Sequence, residues 1–252
     1  MSAVLDEKNQ DQADLARPRS VVVPDDPLAE QISQEIERDI IFGRLAPGRK
    51  LREEELAQRF EASRHQVREA LARLTRIGIV IKERNKGVSV RRFSSEEVGQ
   101  IYEVREILQR QAALRIPLPV TGASMQLLES IHAANERAVR LGDLRGIHES
   151  NDRFHTELFG LCGNDMLSRL VKQFMDLSYV IRANAFNTDH AEVALREHRL
   201  MLDLLKTTDS WALSQLCVDH IQYSKNKYLA FLAAKDCEIQ PAQTLTHARR
   251  PA

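Results

Sequence analysis

The sequence predicts a mainly α-helical protein: an N-terminal winged helix-turn-helix followed by an all-helical bundle of six to seven helices. Three observations predict it. Just 10 Gly and 8 Pro interrupt 252 residues, and the abundant Leu, Ala, Arg and Glu are good helix formers. Paired β-branched runs, the usual mark of strands, occur at one place, Ile79-Val80-Ile81 and Val88-Ser89-Val90. From Phe93 to about Ala234 no stretch reads convincingly as a strand.

Taken in order, residues 1–26 lack apolar periodicity apart from Val21-Val22-Val23 and read as a flexible N-terminal arm. The winged helix-turn-helix is expected over 27–93. Leu28, Ile32, Ile36 and Ile40 recur every four residues, a helical stripe that stops at Phe42-Gly43. Pro47-Gly48 then forces a turn. Glu53 to Phe60 reads as a second helix, and Ser63 is placed to cap a third, Arg64 to Ile77, closed by Gly78. The two β-branched runs flank Asn85-Lys86-Gly87, which suits the reversal of a strand pair. Ser94-Ser95-Glu96-Glu97 supplies oxygens to a new helix start. Six helices follow near 95–115, 121–141, 144–161, 165–185, 189–206 and 209–234, within a second domain expected over 94–235, and 236–252 reads as a flexible tail.

Charge divides the chain as the elements do. Overall, 36 Lys+Arg balance 36 Asp+Glu, but between Pro27 and Phe93 there are 15 of the former against 10 of the latter. An excess of cations on one module points to a polyanionic partner. Cys162, Cys217 and Cys237 are odd in number and lack C-x-x-C spacing, so neither a disulfide framework nor a thiolate zinc site is expected. No run is long and apolar enough for a membrane span, and the N-terminus lacks a signal-like apolar centre, so no membrane partner and a cytoplasmic location are expected.

Reading a base pair requires a helix whose first turn projects hydrogen-bonding groups into the major groove, steadied by phosphate contacts. Ser63-Arg64-His65-Gln66-Val67-Arg68 supplies such a turn. Arg64 suits a guanine edge and Gln66 an adenine edge, while Ser63 and Arg68 suit phosphates. Lys82, Arg84, Lys86, Arg91 and Arg92 would place positive charge beside the duplex from the hairpin. In the second domain Asn151 and His155 are four apart on one predicted helix face, with Asp152 a rival oxygen donor, and His198 and His220 lie on later helices, following Glu197 and Asp219.

These residues carry a resemblance. Gly43-Arg44-Leu45-Ala46-Pro47-Gly48, then Glu55-Leu56-Ala57-Gln58-Arg59-Phe60, Ser63-Arg64 to Arg68-Glu69-Ala70-Leu71, and Asn85-Lys86-Gly87-Val88-Ser89-Val90 resemble the DNA-binding domain of GntR-family transcription regulators over about 65 residues. The resemblance implies that Ser63 to Arg68, His65 included, open a recognition helix, that Arg44 and Lys86 join the DNA contact, and that Gly87 is the wing glycine. His65-Gln66 stand where many members have Thr-Pro. Tyr102-Glu103-Val104-Arg105, Asn151 to His155 with Gly163-Asn164, Glu197-His198 and His220 resemble the FCD ligand-binding domain of the FadR-type branch. That resemblance implies a divalent metal, commonly zinc or nickel, held by Asn151, His155, His198 and His220, and a small carboxylate effector bound with it. Arg105, Tyr179 and Arg182 are the candidate effector contacts, with pairing of Arg105 to Glu103, Glu106 or another helix as the alternative. Phe154 and Phe159 read as core.

The expected protein is a homodimeric repressor on a palindromic DNA operator, controlled by its effector through the segment Arg91 to Glu97. Two rivals are a metal-dependent hydrolase with a DNA-binding arm, which lacks a general base at a diagnostic spacing, and an architectural DNA-binding protein indifferent to small molecules.

Overall fold

The structure, a computed structural model, describes residues 26–182 and 188–239. Residues 1–25 of the predicted arm and 240–252 of the predicted tail lie outside them, while Asp26 caps the first helix and 236–239, expected to be tail, continue the last one.

Helix α1 (Pro27–Ile41) starts where Asp26 accepts from the amides of Leu28 and Ala29 at 2.9 and 3.4 Å, with Pro27 at the first helical position. Its stripe of Ile32, Ile36 and Ile40 is fully buried. After a turn comes β1 (Lys50–Leu51), a two-residue strand that sequence periodicity did not indicate. Helices α2 (Glu53–Arg59) and α3 (Arg64–Ile77) form the helix-turn-helix. Val67, Ala70, Leu71 and Leu74 face the core, and Gly78 ends α3 in the left-handed conformation, φ +87°. Strands β2 (Val80–Glu83) and β3 (Gly87–Val90) pair antiparallel, and β1 adds to β3 to give the order β1-β3-β2. Asn85 and Gly87, both at positive φ, make the wing's reversal.

The second domain contains α4 (Ser95–Leu114), α5 (Gly122–Leu141), α6 (Leu144–Gly160), α7 (Asp165–Arg182), α8 (Thr188–Leu205) and α9 (Ser210–Ile239). Ser94 and Glu97 form a capping box at the start of α4. Helix α4 packs on α7 and α9, while α5 packs on α6 and α8. Phe154, Leu158, Phe159, Met175, Met201 and Leu205 fill the core between them. Cys162 and Cys217 are buried free thiols, and burial pushes Cys217 up to about 12; the side chain of Cys237 lies outside the described residues. No helix among the described residues is long and apolar enough to cross a membrane.

The two domains share apolar packing. Val98 and Tyr102 of α4, Leu177 and Ile181 of α7, and Ile221 and Tyr228 of α9 belong to the same buried cluster as the core of the winged helix. Arg91 bridges the join, pairing with Glu97 at 2.8 Å and lying 4.6 Å from the ring centre of Phe93. It was expected beside DNA with the other wing cations; in the structure it pairs with Glu97 at the start of α4.

Candidate functional site

The exposed start of α3 carries Arg64, His65 and Arg68. Arg64 pairs with Glu54 at 2.8 Å and Arg68 with Glu53 at 2.7 Å, both glutamates belonging to the first turn of α2. Such exposed pairs are worth at most about 1 kcal/mol, so phosphates can exchange for the glutamates. Ser63 and Gln66 have an additional task. Gln66 Oε1 accepts from Ser63 N at 2.9 Å, while Gln66 N donates to Ser63 Oγ at 3.3 Å, which is the reciprocal cap of the helix. A hydrogen bond from Gln66 also holds the Asp26 carboxyl below its ordinary range. The readings of Gln66 as an adenine contact and Ser63 as a phosphate contact thus meet a competitor: the third helical position is where a side chain folds back on its own N-terminus.

Arg44 is exposed and anchored by a buried acid. Asp39, 2% exposed, binds Arg44 Nε at 2.5 Å through one oxygen and Arg59 through the other. Arg44 also lies 5.7 Å from the ring centre of Phe42. On the wing, Lys86 pairs with Glu83 at 2.7 Å and Gly87 has φ +84°, while Lys82, Arg84 and Arg92 are exposed.

In the helical domain three elements bring imidazoles together: His155 from α6, His198 from α8 and His220 from α9. Their candidate ligand atoms lie within 4.8 Å of one another. His155 Nε2 is 3.1 Å from both His198 Nε2 and His220 Nε2. A neutral imidazole nitrogen either donates one proton or accepts one, so His155 Nε2 can satisfy one of these contacts and not both. A cation taking all three lone pairs removes the conflict, and the donor set therefore fits a divalent transition metal. His198 is fully buried, and burial together with nearby His220 and His132 holds it well below the ordinary histidine range, in the neutral form a metal requires. Phe154 stacks on its ring at 4.3 Å. Glu197 Oε2 lies 2.6 Å from His220 Nδ1. A proton held there leaves the His220 Nε2 lone pair aimed at the other two rings.

A pocket opens beside the triad, lined by Ile41, Asn135, Ile147, His148, Asn151, Tyr179, His190, Ala191, Ala194 and His220. Asn151 donates from Nδ2 to the Tyr179 hydroxyl at 3.2 Å. Its rival Asp152 faces elsewhere, 3.3 Å from Lys172. Asn135 is 2% exposed and its Oδ1 has no hydrogen-bond partner among the described residues. His190 contacts Ser224 Oγ at 3.0 Å. Asn135, His148, His190 and the support from Glu197 were not anticipated. His148, Asn151 and His155 do share helical spacing of three and four, a signal available in the sequence.

The described pocket lining contains no Lys or Arg. Arg105 is buried and donates to Ser178 Oγ on α7 at 2.9 Å, so its contact is with another helix, the alternative left open above. The side chain of Arg182 lies outside the described residues. Against the pocket's outer wall, Lys172 sits among Asp152, Asp176 and Glu37, the last contributed by α1 of the winged helix. Burial, reinforced by Asp176, raises Glu37 to about 7, and burial raises Asp176 to about 6 despite Lys172.

A winged helix with an exposed cationic recognition turn, packed on a helical domain that holds a pocket of mixed apolar and histidine–asparagine lining, is the build of a DNA-binding transcription regulator. Residues 28–90 match the model of bacterial regulatory proteins of the gntR family, and residues 100–223 match the FCD domain. The chain belongs to the GntR family, with an FCD domain as its second part. It is a transcription regulator and not an enzyme, which removes the hydrolase reading. It is 27% identical over 195 residues to the uncharacterized HTH-type transcriptional regulator YdhC of Bacillus subtilis, covering 77% of this chain and 87% of YdhC. It is 26% identical over 202 residues to the transcriptional repressor RspR of Escherichia coli K12, covering 79% and 88%. Among solved structures, a putative GntR regulator from Rhodococcus sp. RHA1 superimposes with a TM-score of 0.69 at 20% identity, over 80% of this chain and 97% of that one. McbR/YncC of E. coli does so with a TM-score of 0.66 at 20% identity, over 82% and 98%.

Proposed function

We propose that this regulator is a homodimeric cytoplasmic repressor that leaves a palindromic operator when a small carboxylate enters the FCD pocket beside a divalent ion, zinc or nickel. The observation that carries this reading is the convergence of three Nε2 atoms, with His155 Nε2 at 3.1 Å from each of the others. His155, His198 and His220 would hold the ion, with the Asn151 amide oxygen as the fourth donor. When bound, the ion would supply a fixed positive charge to a pocket whose described lining has no Lys or Arg, where a carboxylate could lodge. Tyr179 and Asn135 then orient the acid by hydrogen bonds, and Ile41, Ile147, Ala191 and Ala194 exclude water around it. At the other end, Arg64 reads a base edge, while Arg44, Arg68 and Lys86 hold phosphates.

A two-fold dimer places two recognition helices on a symmetric site. An acid that binds better to the arrangement incompatible with DNA draws the population away from the operator. The repressor sign is supported by the likeness to RspR. The test is metal analysis of the purified full-length protein, then thermal shift and duplex binding with a panel of organic acids. The expected result is about one ion per protomer and an acid that both stabilises the protein and weakens operator binding only when the ion is present. A metal-free protein whose operator binding no acid changes would leave a purely architectural DNA-binding role.

A further inference from the structure

The pocket is walled in part by the DNA-binding domain. Ile41, the last residue of α1, lines it beside His148, and the next residue, Phe42, presents its ring to His148 at a centroid distance of 5.9 Å and an interplanar angle of 89°. His148 in turn meets Tyr179 at 4.7 Å and 88°. Two successive edge-to-face contacts thus run through one imidazole, and turning that ring disturbs both. At the inner end, the Tyr179 hydroxyl accepts from Asn151 Nδ2 at 3.2 Å. This bond leaves Asn151 Oδ1 able to face a cation, so one amide can touch the ion and Tyr179 together. At the outer end, Phe42 lies under Arg44, which Asp39 anchors at the DNA face.

We propose that Asn151, Tyr179, His148 and Phe42 form a relay that carries occupancy of the pocket to Arg44, with His148 as its positioning residue. The inference rests on the reading that the pocket holds a cation and that Arg44 contacts DNA. Filling the triad fixes the Asn151 amide, which fixes the Tyr179 hydroxyl and ring. The imidazole, set edge-to-face with Tyr179, then selects one orientation, and Phe42 with Arg44 follows. Packed rings accept few orientations, so a small displacement at one end is passed on as a discrete one. The relay is separate from the Arg91–Glu97 join and crosses directly from α6 and α7 to the end of α1.

The test is hydrogen exchange on the full-length protein with and without Ni2+, with nickel content measured in the same samples. In the wild type, nickel should slow exchange both in α6 and at residues 38–45, the latter by about fivefold or more, the lower end of ordinary coupling between sites. In Phe42→Leu, nickel content and the α6 response should persist while the response at 38–45 disappears. His148→Leu is the second variant, should Phe42→Leu fold poorly, and should likewise lose the response at 38–45 while α6 still responds. A response at 38–45 that survives in a folded variant, or a wild type whose α6 responds while 38–45 does not, overturns the relay alone. A wild type that takes up no nickel and shows no α6 response overturns the metal reading, and the relay with it.

Discussion

The DNA face and the pocket handle charge in opposite ways. At the start of α3, Arg64 and Arg68 are 61% and 62% exposed at the side chain and rest on glutamates of α2. In the triad beside the pocket, His198 is 0% exposed and burial favours its neutral form, and the rings converge nitrogen on nitrogen. A solvated pair costs little to break, so the first region gains a partner by exchange. Buried polar groups whose contacts compete are expensive, so the second gains a partner by relief of that conflict. Affinity for DNA should therefore respond steeply to salt, whereas affinity for a cation should respond to the shape and protonation of the cage.

The sharpest way to break this contrast is His198→Ala, which removes a buried ligand. Metal affinity should fall by more than about 100-fold, as measured by competition with a chelator, and any acid response should go with it. Arg64→Ala should cost about 1–3 kcal/mol of operator binding in footprinting, with the thermal midpoint unchanged. Glu197→Gln weakens the hold on the His220 Nδ1 proton, and about a tenfold loss of metal affinity is expected.

The junction supplies a test in pH. Glu37 is raised to about 7 in the folded chain from an ordinary 4.5, by burial first and Asp176 second, with Asp152 adding to the rise and Lys172 and Arg38 opposing it. A raised carboxyl contributes stability that is complete below its unfolded value and is lost as pH climbs through the folded one. The thermal midpoint should accordingly fall between about pH 4.5 and about pH 7, and Glu37→Gln should flatten that fall and raise the midpoint at about pH 8 by roughly 2–4 °C. Smallest is Glu54→Gln, which frees Arg64 from its glutamate: non-specific duplex binding at low salt should strengthen by about two- to fivefold, since the pair is worth at most about 1 kcal/mol.

What was legible in the sequence was whatever local chemistry dictates. Ser63 and Gly78 bound α3, Asn85 and Gly87 turn the wing, and Ser94 with Glu97 open α4, because caps and reversals are decided by neighbours in sequence. Strand β1 was not legible, as two residues leave no period and its pairing is made by β3, far along the chain. The histidines stood out through resemblance, yet the role of Glu197 did not. Adjacent helical residues point apart, so a glutamate preceding His198 serves His220 on another helix. Arg105 was legible in part: contact with another helix was one of its two readings, but the Ser178 hydroxyl that receives it comes from 73 positions onward. Asn135 and His190 reach the pocket through packing of α5 and α8, which no local pattern records.

Gly78 closes the recognition helix at φ +87°, and a methyl group placed there would stand 3.2 Å from Leu177 Cδ2 of α7. Gly78→Ala would add left-handed strain of about 1–2 kcal/mol and, in the same stroke, press a methyl group against the helical domain. The helix that Gly78 closes thus meets the second domain so tightly that Leu177 and Arg91, whose side-chain ends lie 3.2 and 3.3 Å from that methyl position, would have to yield to the added group.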